Sequence, residues 1–580
     1  MIKRLSKCVR EYKLPSILSP IFISLEVVME VLIPLMMGWL IDKGIDAGDT
    51  GYVLRTGGML VVLCIFSLFF GFAAGDTAAK ASSGFAKNLR HDMFHNIQSF
   101  SFANIDKFTP SGLVTRLTTD VTNLQNSYQM IIRIAVRSPA MLIFSLSMAL
   151  SINKKLSLIF VCIIPLLAAG LFFIVSKAHP VFKRMFKVYD RLNTVVNENL
   201  HGIRVVKSFV REDKETEKFK GVSATIYALS KKAEFYLSYN APLMQVSSYT
   251  AMLLIAWFGA KMIVSSAETE LTTGELFSVI SYTMQILSTL MMLSMIFVML
   301  TMSRAAAERV CEVLEEKSDL TSPENAITEV KDGSIVFENV GFSYSGDKEK
   351  LCLKNVNIRI ESGETVGIIG STGSSKTSLV QLISRLYDVI EGTLKVGGRD
   401  VREYDLDSLR KNVATVLQKN VLFSGTIKEN LRWGNENATD EELIDACRLA
   451  QADSFISEMP EGYDTYIEQG GTNVSGGQKQ RICIARSLLQ KPKILILDDS
   501  TSAVDTKTDA LIRDGFKNYI PETTKIIIAQ RISSIEHADK IIVLDGGEIT
   551  GFGNHRELIE SNEIYKEVYY SQIKGGKEND

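Results

Sequence analysis

Nine consecutive residues, GSTGSSKTS at positions 370–378, gather the chemistry needed to grip a chain of phosphates. Small residues let successive backbone N–H groups face phosphate oxygens at a helix N-terminus. Gly370, Ser371, Thr372, Gly373, Ser374, Ser375 and Ser378 would form this cradle, with Lys376 on the outer phosphates and Thr377 on a magnesium ion. The usual spacing GxxxxGK[ST] has Gly where this chain has Ser375. Ser375 keeps its N–H but adds a Cβ, so nucleotide is expected to bind less tightly than to a Gly loop. A second element, KILILDD at 493–499, is an apolar run ending in two carboxylates, which would set Asp498 on the magnesium shell. Between them stands NVSGGQKQR at 473–481, where the Ser475 hydroxyl and the N–H groups of Gly476, Gly477 and Gln478 could bind a phosphate at a helix start. Taken singly, a Ser-Gly-Gly run is most often a flexible turn.

These residues need an α/β scaffold, and from residue 334 the chain alternates short apolar runs, such as 365–369 just before the loop, with charged stretches. The preceding half is different. Apolar segments of 19 or more residues recur only before about residue 305, and six spans are expected at 14–40, 57–75, 130–152, 156–176, 241–264 and 276–302. Lys3, Arg4, Lys7, Arg10 and Lys13 precede the first span, whereas short loops near Asp46 and Glu270 are acidic, so both termini are expected in the cytoplasm. The first apolar run is too long for a signal peptide and no small-residue cleavage site follows it. Segments 76–129 and 177–240 have helical spacing and read as helices continuing out of the bilayer. Their tips, FTPSGLVTRLTTDVTNLQ from Phe108 and NENLHGIRVVKSFVRE from Asn197, would touch the soluble domain. The expected organisation is an N-terminal segment 1–13, an all-α polytopic membrane domain 14–305, a linker 306–333, an α/β P-loop nucleotide-binding domain 334–572 and a polar tail 573–580.

Seven cysteines are scattered without a CxxC pair, and Cys64 and Cys162 fall inside expected spans, which argues for free thiols and against a zinc site. A formal net charge of −2 with no long basic block makes nucleic acid an unexpected partner. The apolar spans make the lipid bilayer the surrounding medium. Within them stand Glu26, Glu30, Arg133 and Arg137, and such charges seldom face lipid. Glu26 and Arg137 each lie fifteen residues from the outer ends near Ile41 and Ile152, about 22 Å of helix, so an ion pair at one depth is expected. A cation site at Glu30 is the alternative. The run MQILSTLMMLSMIFVMLTM from Met284 suits either helix packing or a varied hydrophobic cargo.

GSTGSSKTS, VSGGQKQR and ILILDDSTSAVD occur in that order, with Gln418 in VLQKNVLFSGTIKENL between the first two, and over essentially its whole length the chain resembles an ATP-binding cassette (ABC) exporter half-transporter. The resemblance implies ATP and Mg2+ as cofactors, Tyr344 on the adenine, Gln418 coupling the site to the membrane helices and contributing to the metal shell, and Asp505 in the D-loop. Core packing for Tyr344 and simple solvent exposure for Gln418 remain open. The chain departs from the family twice. Asp499 stands where a Glu usually polarises the attacking water, and Gln530 in IIIAQR replaces the switch His. A weak site of its own beside a complete VSGGQ resembles one subunit of a heterodimeric multidrug exporter, paired with a second, homologous half-transporter and carrying hydrophobic small molecules; a slow homodimer is the alternative. A lipid or peptide exporter and an ATP-regulated sensor or channel are the rival activities. An exporter with an N-terminal peptidase is not expected, because about thirteen residues precede the first span.

Overall fold

The computed structural model describes residues 1–266, 268–499 and 504–577 and divides into two compact units, Met1–Gln98 with Pro110–Glu316 and Ser99–Thr109 with Lys317–Asp580. In chain order the first part contains helices α1 (Ile2–Lys7), α2 (Lys13–Leu40), α3 (Thr50–Gln98), α4 (Phe102–Phe108), α5 (Pro110–Thr115), α6 (Val121–Ile152), α7 (Lys154–His201), α8 (Ile203–Ser208), α9 (Glu212–Leu237), α10 (Asn240–Ser266) and α11 (Thr273–Glu315). Among the described residues six helical stretches are long and apolar enough to cross a membrane; the first five contain the spans expected at 14–40, 57–75, 130–152, 156–176 and 241–264, whereas the sixth, Thr273–Leu293, ends before the span expected at 276–302 does, although α11 itself continues. Helices α3 and α7 run for 49 and 48 residues, so they extend well past about 30 Å of hydrocarbon.

Local chemistry sets where these helices start and how they pack. Asn153 caps α7 by accepting from Leu156 N at 3.1 Å, and Thr272 with Glu275 forms a capping box on α11. Helix α11 meets α2 near Pro34 through two hydroxyls: Tyr282 donates to the Val31 carbonyl at 2.6 Å and Ser278 to the Pro34 carbonyl at 2.7 Å. One turn on, Gly38 and Gly274 bring the two backbones together; a Cβ on Gly274 would collide with the Gly38 carbonyl oxygen. Asp42 locks this crossing by accepting from Thr272 Oγ1 at 2.6 Å and Gly274 N at 2.7 Å. Hydropathy falls near residue 305 but the helix does not end there: α11 continues to Glu315, where Arg309 donates to the buried Asp120 at 2.7 Å.

The first helical tip lies upstream of the stretch that sequence spacing pointed to. Ser99–Thr109, with α4 capped by a Ser101 and Asn104 capping box, belongs to the second unit, whereas Pro110 onward belongs to the first. Short polar helices carry little periodic signal, so the expected FTPSGL stretch reaches this tip only at Phe108 and Thr109. Within the second unit Tyr387 donates its hydroxyl to Asp106 at 2.9 Å and its ring lies 6.2 Å from that of Phe102. The other tip, α8, belongs to the first unit and leaves Val205, Phe209 and Val210 exposed.

The second unit continues through β1 (Ile335–Phe342), β2 (Leu353–Ile360), β3 (Thr365–Gly370), α12 (Lys376–Ile383), β4 (Glu391–Val396), β5 (Arg399–Asp400), α13 (Leu406–Asn412), β6 (Val413–Val416), β7 (Gly425–Thr426), α14 (Ile427–Arg432), α15 (Asp440–Leu449), α16 (Asp453–Ser457), β8 (Tyr466–Ile467), α17 (Gly476–Leu489), β9 (Ile494–Asp498), α18 (Thr506–Tyr519), β10 (Thr524–Ile528), β11 (Lys540–Asp545), β12 (Glu548–Gly553), α19 (His555–Ser561) and α20 (Glu563–Lys577). Its main sheet has the order β12-β11-β3-β10-β9-β6, parallel except at the β12 edge. Strands β9 and β10 are buried at every position, as the continuous apolar runs ILIL and III require of a sheet covered on both faces. A smaller antiparallel sheet, β2-β1-β4-β5, packs its apolar face into the same core. Helix α20 continues to Lys577, into the segment expected as a polar tail.

Candidate nucleotide site

Strand order assembles the site. Register pairs Ile528 of β10 with both Ile368 of β3 and Asp498 of β9, so the C-terminal ends of three neighbouring strands deliver the phosphate loop, the switch loop and the paired carboxylates to one edge. Val416 of β6 pairs with Leu497, which brings Gln418 to the same edge two residues beyond its strand.

The loop leads from β3 into α12 with Ser375 at the N-cap, in the left-handed region at φ 71°. A Cβ there costs roughly 1 to 2 kcal/mol. Ser375→Gly is therefore expected to stabilise the full chain by about 1 kcal/mol after the entropy of the freer unfolded glycine is subtracted. A thermal midpoint unchanged by the substitution would contradict this. Lys376 Nζ donates to the Gly370 carbonyl at 2.9 Å and the Ser371 carbonyl at 2.8 Å, folded back over its own loop. Burial pulls its pKa below the ordinary lysine value, against the opposing pull of Asp498 and Asp499. Thr377 Oγ1 donates to Asp498 Oδ1 at 3.2 Å. Burial pushes the Asp498 carboxyl upward, the Thr377 hydrogen bond opposes this, and Asp499 adds to the rise. A hydroxyl beside a buried carboxylate is the oxygen donor set a magnesium ion takes, with waters and phosphates completing its shell.

Asp499 sits in the left-handed region at φ 48°, a conformation aspartate tolerates. Its Oδ2 accepts from Gln530 Nε2 at 2.7 Å and from Gln418 Nε2 at 3.3 Å, while its backbone carbonyl accepts from Gln480 at 3.4 Å. Tyr344 is 52% exposed, unlike a core aromatic; its hydroxyl lies 2.8 Å from Ser378 Oγ and 3.2 Å from Gln381 Oε1, fixing the ring beside α12. The structure thus brings together Gly370 to Ser378, Tyr344, Gln418, Asp498, Asp499 and Gln530. It does not bring in the other two elements. Ser475 caps α17 and bonds Gln478 reciprocally, at 2.9 and 3.3 Å, with Ser475 and Gly476 exposed. Asp505 caps α18, accepting from Thr508 N at 2.9 Å, and the motif residues Ser500, Thr501, Ser502 and Ala503 lie outside the described residues.

Away from this edge, Arg137 on α6 bonds both glutamates of α2: its Nη1 meets Glu26 and its Nη2 lies 2.7 Å from Glu30. Gly71 of α3 admits the Glu26 carboxylate, which would stand 3.2 Å from a Cβ at that position. Spacing by depth pointed to Glu26 alone; Glu30 joins because it lies one turn along the same face.

Comparison with known proteins agrees with this architecture. A family model described as the ABC transporter transmembrane region matches residues 16–303, and one described as ABC transporter matches residues 353–502. YfiB of Bacillus subtilis, an uncharacterised ABC transporter ATP-binding protein, is 35% identical over 564 residues, covering 97% of each chain. This chain belongs to the ABC transporter family. The ABC transporter YknU of Bacillus subtilis is also 35% identical, over 84% of this chain and 83% of its own. The solved structure of a bacterial Atm1-family ABC exporter with ATP bound shares the transporter's fold, with a TM-score of 0.81, 23% identity and coverage of 97% and 98%. The transporter is a multi-pass membrane protein whose membrane region and ATP-binding cassette are fused in one chain. Gln572, which donates to the Gln530 carbonyl, lies in none of the motifs, and only its position on α20 reveals it.

Proposed function

We propose that this transporter exports hydrophobic or amphipathic compounds across the cytoplasmic membrane as one half of a heterodimer, both termini in the cytoplasm. Its own ATP site turns over slowly, while its intact Ser475 to Gln478 turn serves the partner's nucleotide. The observation that carries this is the Asp499 carboxylate, one methylene shorter than the family's glutamate and accepting from the amides of Gln530 and Gln418. An amide in the switch position cannot exchange a proton near neutral pH as an imidazole can. Thr377, Asp498 and Gln418 would hold the magnesium ion, which supplies charge for the phosphate oxygens, and Tyr344 would stack on the adenine.

Exposed Ser475 and Gly476 need a facing phosphate, and the apolar α8 tip at Val205, Phe209 and Val210 needs a facing surface; a second half-transporter supplies both. ATP binding would close the paired cassettes, the long helices would carry the motion into the bilayer, and hydrolysis at the partner-encoded site would reset the cavity. Exposed Met284, Met291 and Met292 on α11 suit a varied apolar cargo. In inside-out vesicles holding the chain with its partner, a lipophilic dye should accumulate uphill when ATP is added. Mere equilibration would identify a channel. Nucleotide trapping in the same complex should label the partner's site well above this one, and equal labelling would point to two competent sites.

A further inference from the structure

Beyond β10 the switch loop leaves the sheet, and Ala529 is the last residue held by it, donating to the Ile368 carbonyl at 3.1 Å. The loop backbone is then met by a side chain from the far end of the chain. Gln572 of α20 donates its Nε2 to the Gln530 carbonyl at 2.8 Å and accepts from Ile532 N–H at 2.9 Å. Its amide thus replaces the two bonds that a neighbouring strand would have made. Among the described residues no other side chain bonds the backbone of residues 530–532.

The helix that presents this amide is anchored. Tyr565 is fully buried, its hydroxyl 2.7 Å from His555 Nδ1, and Val568 and Tyr569 pack on the same core as Ile532. Positions 565, 568, 569 and 572 form one helical stripe, so Gln572 is the polar end of an otherwise apolar seam. A polar residue ending such a seam with both amide atoms used is placed for its bonds more than for burial. The relay is short: α20 holds residues 530–532, and Gln530 reaches Asp499 at 2.7 Å.

We propose that Gln572 is a positioning residue of the ATP site, clamping the switch loop so that the residue at 530 faces the carboxylate at 499. This rests on the reading of Asp499 and Gln530 as parts of that site. The C-terminal helix is on this view a lever on ATP turnover.

The test uses full-length chain in lipid nanodiscs carrying Gln572→Leu, which keeps the size and helix propensity but removes both bonds, or Gln572→Glu, which keeps only the acceptor. Hydrogen exchange needs no turnover. In Gln572→Leu the peptide covering 530–534 should exchange about tenfold faster while β10 stays protected, and Gln572→Glu should retain the protection at Ile532. Introduced alongside Asp499→Glu and Gln530→His, Gln572→Leu should lower kcat severalfold with little change in the KM for ATP, with Gln572→Glu between. Wild-type protection in Gln572→Leu would overturn the clamp, and lost protection with unchanged kcat would overturn its role in turnover. Should Gln572→Leu loosen the whole cassette, identical exchange and kcat in Gln572→Glu and Gln572→Leu would overturn the proposal, because only bonding distinguishes them. A failure of the site reading shows separately, as no gain in turnover from the Asp499 and Gln530 replacements while the exchange comparison still reads the loop.

Discussion

With Asp499→Glu and Gln530→His in one chain, ATP turnover in nanodiscs rises about 10²- to 10⁴-fold over the unaltered chain, the range a positioned general base contributes. That corresponds to about 3 to 5.5 kcal/mol of barrier. In the unaltered site Asp499 Oδ2 is already an acceptor for Gln530 at 2.7 Å and Gln418 at 3.3 Å. Glutamate carries its carboxylate one methylene farther, toward where water would attack, and histidine adds a group that titrates near neutral pH. The phosphate loop, Thr377 and Asp498 are untouched by the pair of changes, so the KM for ATP should move little. Steady-state hydrolysis by the chain purified alone, beside the double variant, is the measurement. Vigorous hydrolysis by the unaltered chain would mean that Asp499 suffices as base and that the chain works as a homodimer.

Arg137→Met should cost the membrane unit about 3 to 5 kcal/mol, the range for removing one partner of a buried ion pair. Arg137 bonds both Glu26 and Glu30, and Glu26 is itself buried, with its Oε2 lacking a hydrogen-bond partner among the described residues. Without Arg137, two carboxylates remain within the expected span, where charge is poorly solvated. The readout is the yield of monodisperse protein and its thermal midpoint after extraction. Adding Glu26→Gln and Glu30→Gln to Arg137→Met should recover most of the loss, since three neutral side chains of similar size leave no orphaned charge. A single variant as stable as the parent would show that the cluster is not what joins α2 to α6, and a triple variant as damaged as the single would show that packing, not charge, was lost.

Much of this protein is legible in its sequence because the signals are local or periodic. Six runs of apolar residues state six spans, since hydrocarbon demands about 20 residues at 1.5 Å each. The phosphate loop is equally plain: GSTGSSKTS joins a strand to a helix, and the residues of this loop expected to cradle phosphate are contiguous. The departures at Ser375, Asp499 and Gln530 are also visible as single letters, and with them the question of how well the site works. Register and order across strands are not local. Residues 370, 498 and 530 share one edge only because β10 inserts between β3 and β9, a choice made by packing of fully buried strands that periodicity cannot distinguish from one another. The same holds for Glu30 on Arg137, which needed the rotation of α2 as well as its depth, and for Gln572, whose partners lie about forty residues away on an unrelated element. Sequence therefore determined which chemistry the chain carries and which half is immersed in lipid. Tertiary structure alone decided which side chains meet, because pairing between distant segments depends on the shape of the core that both must fill.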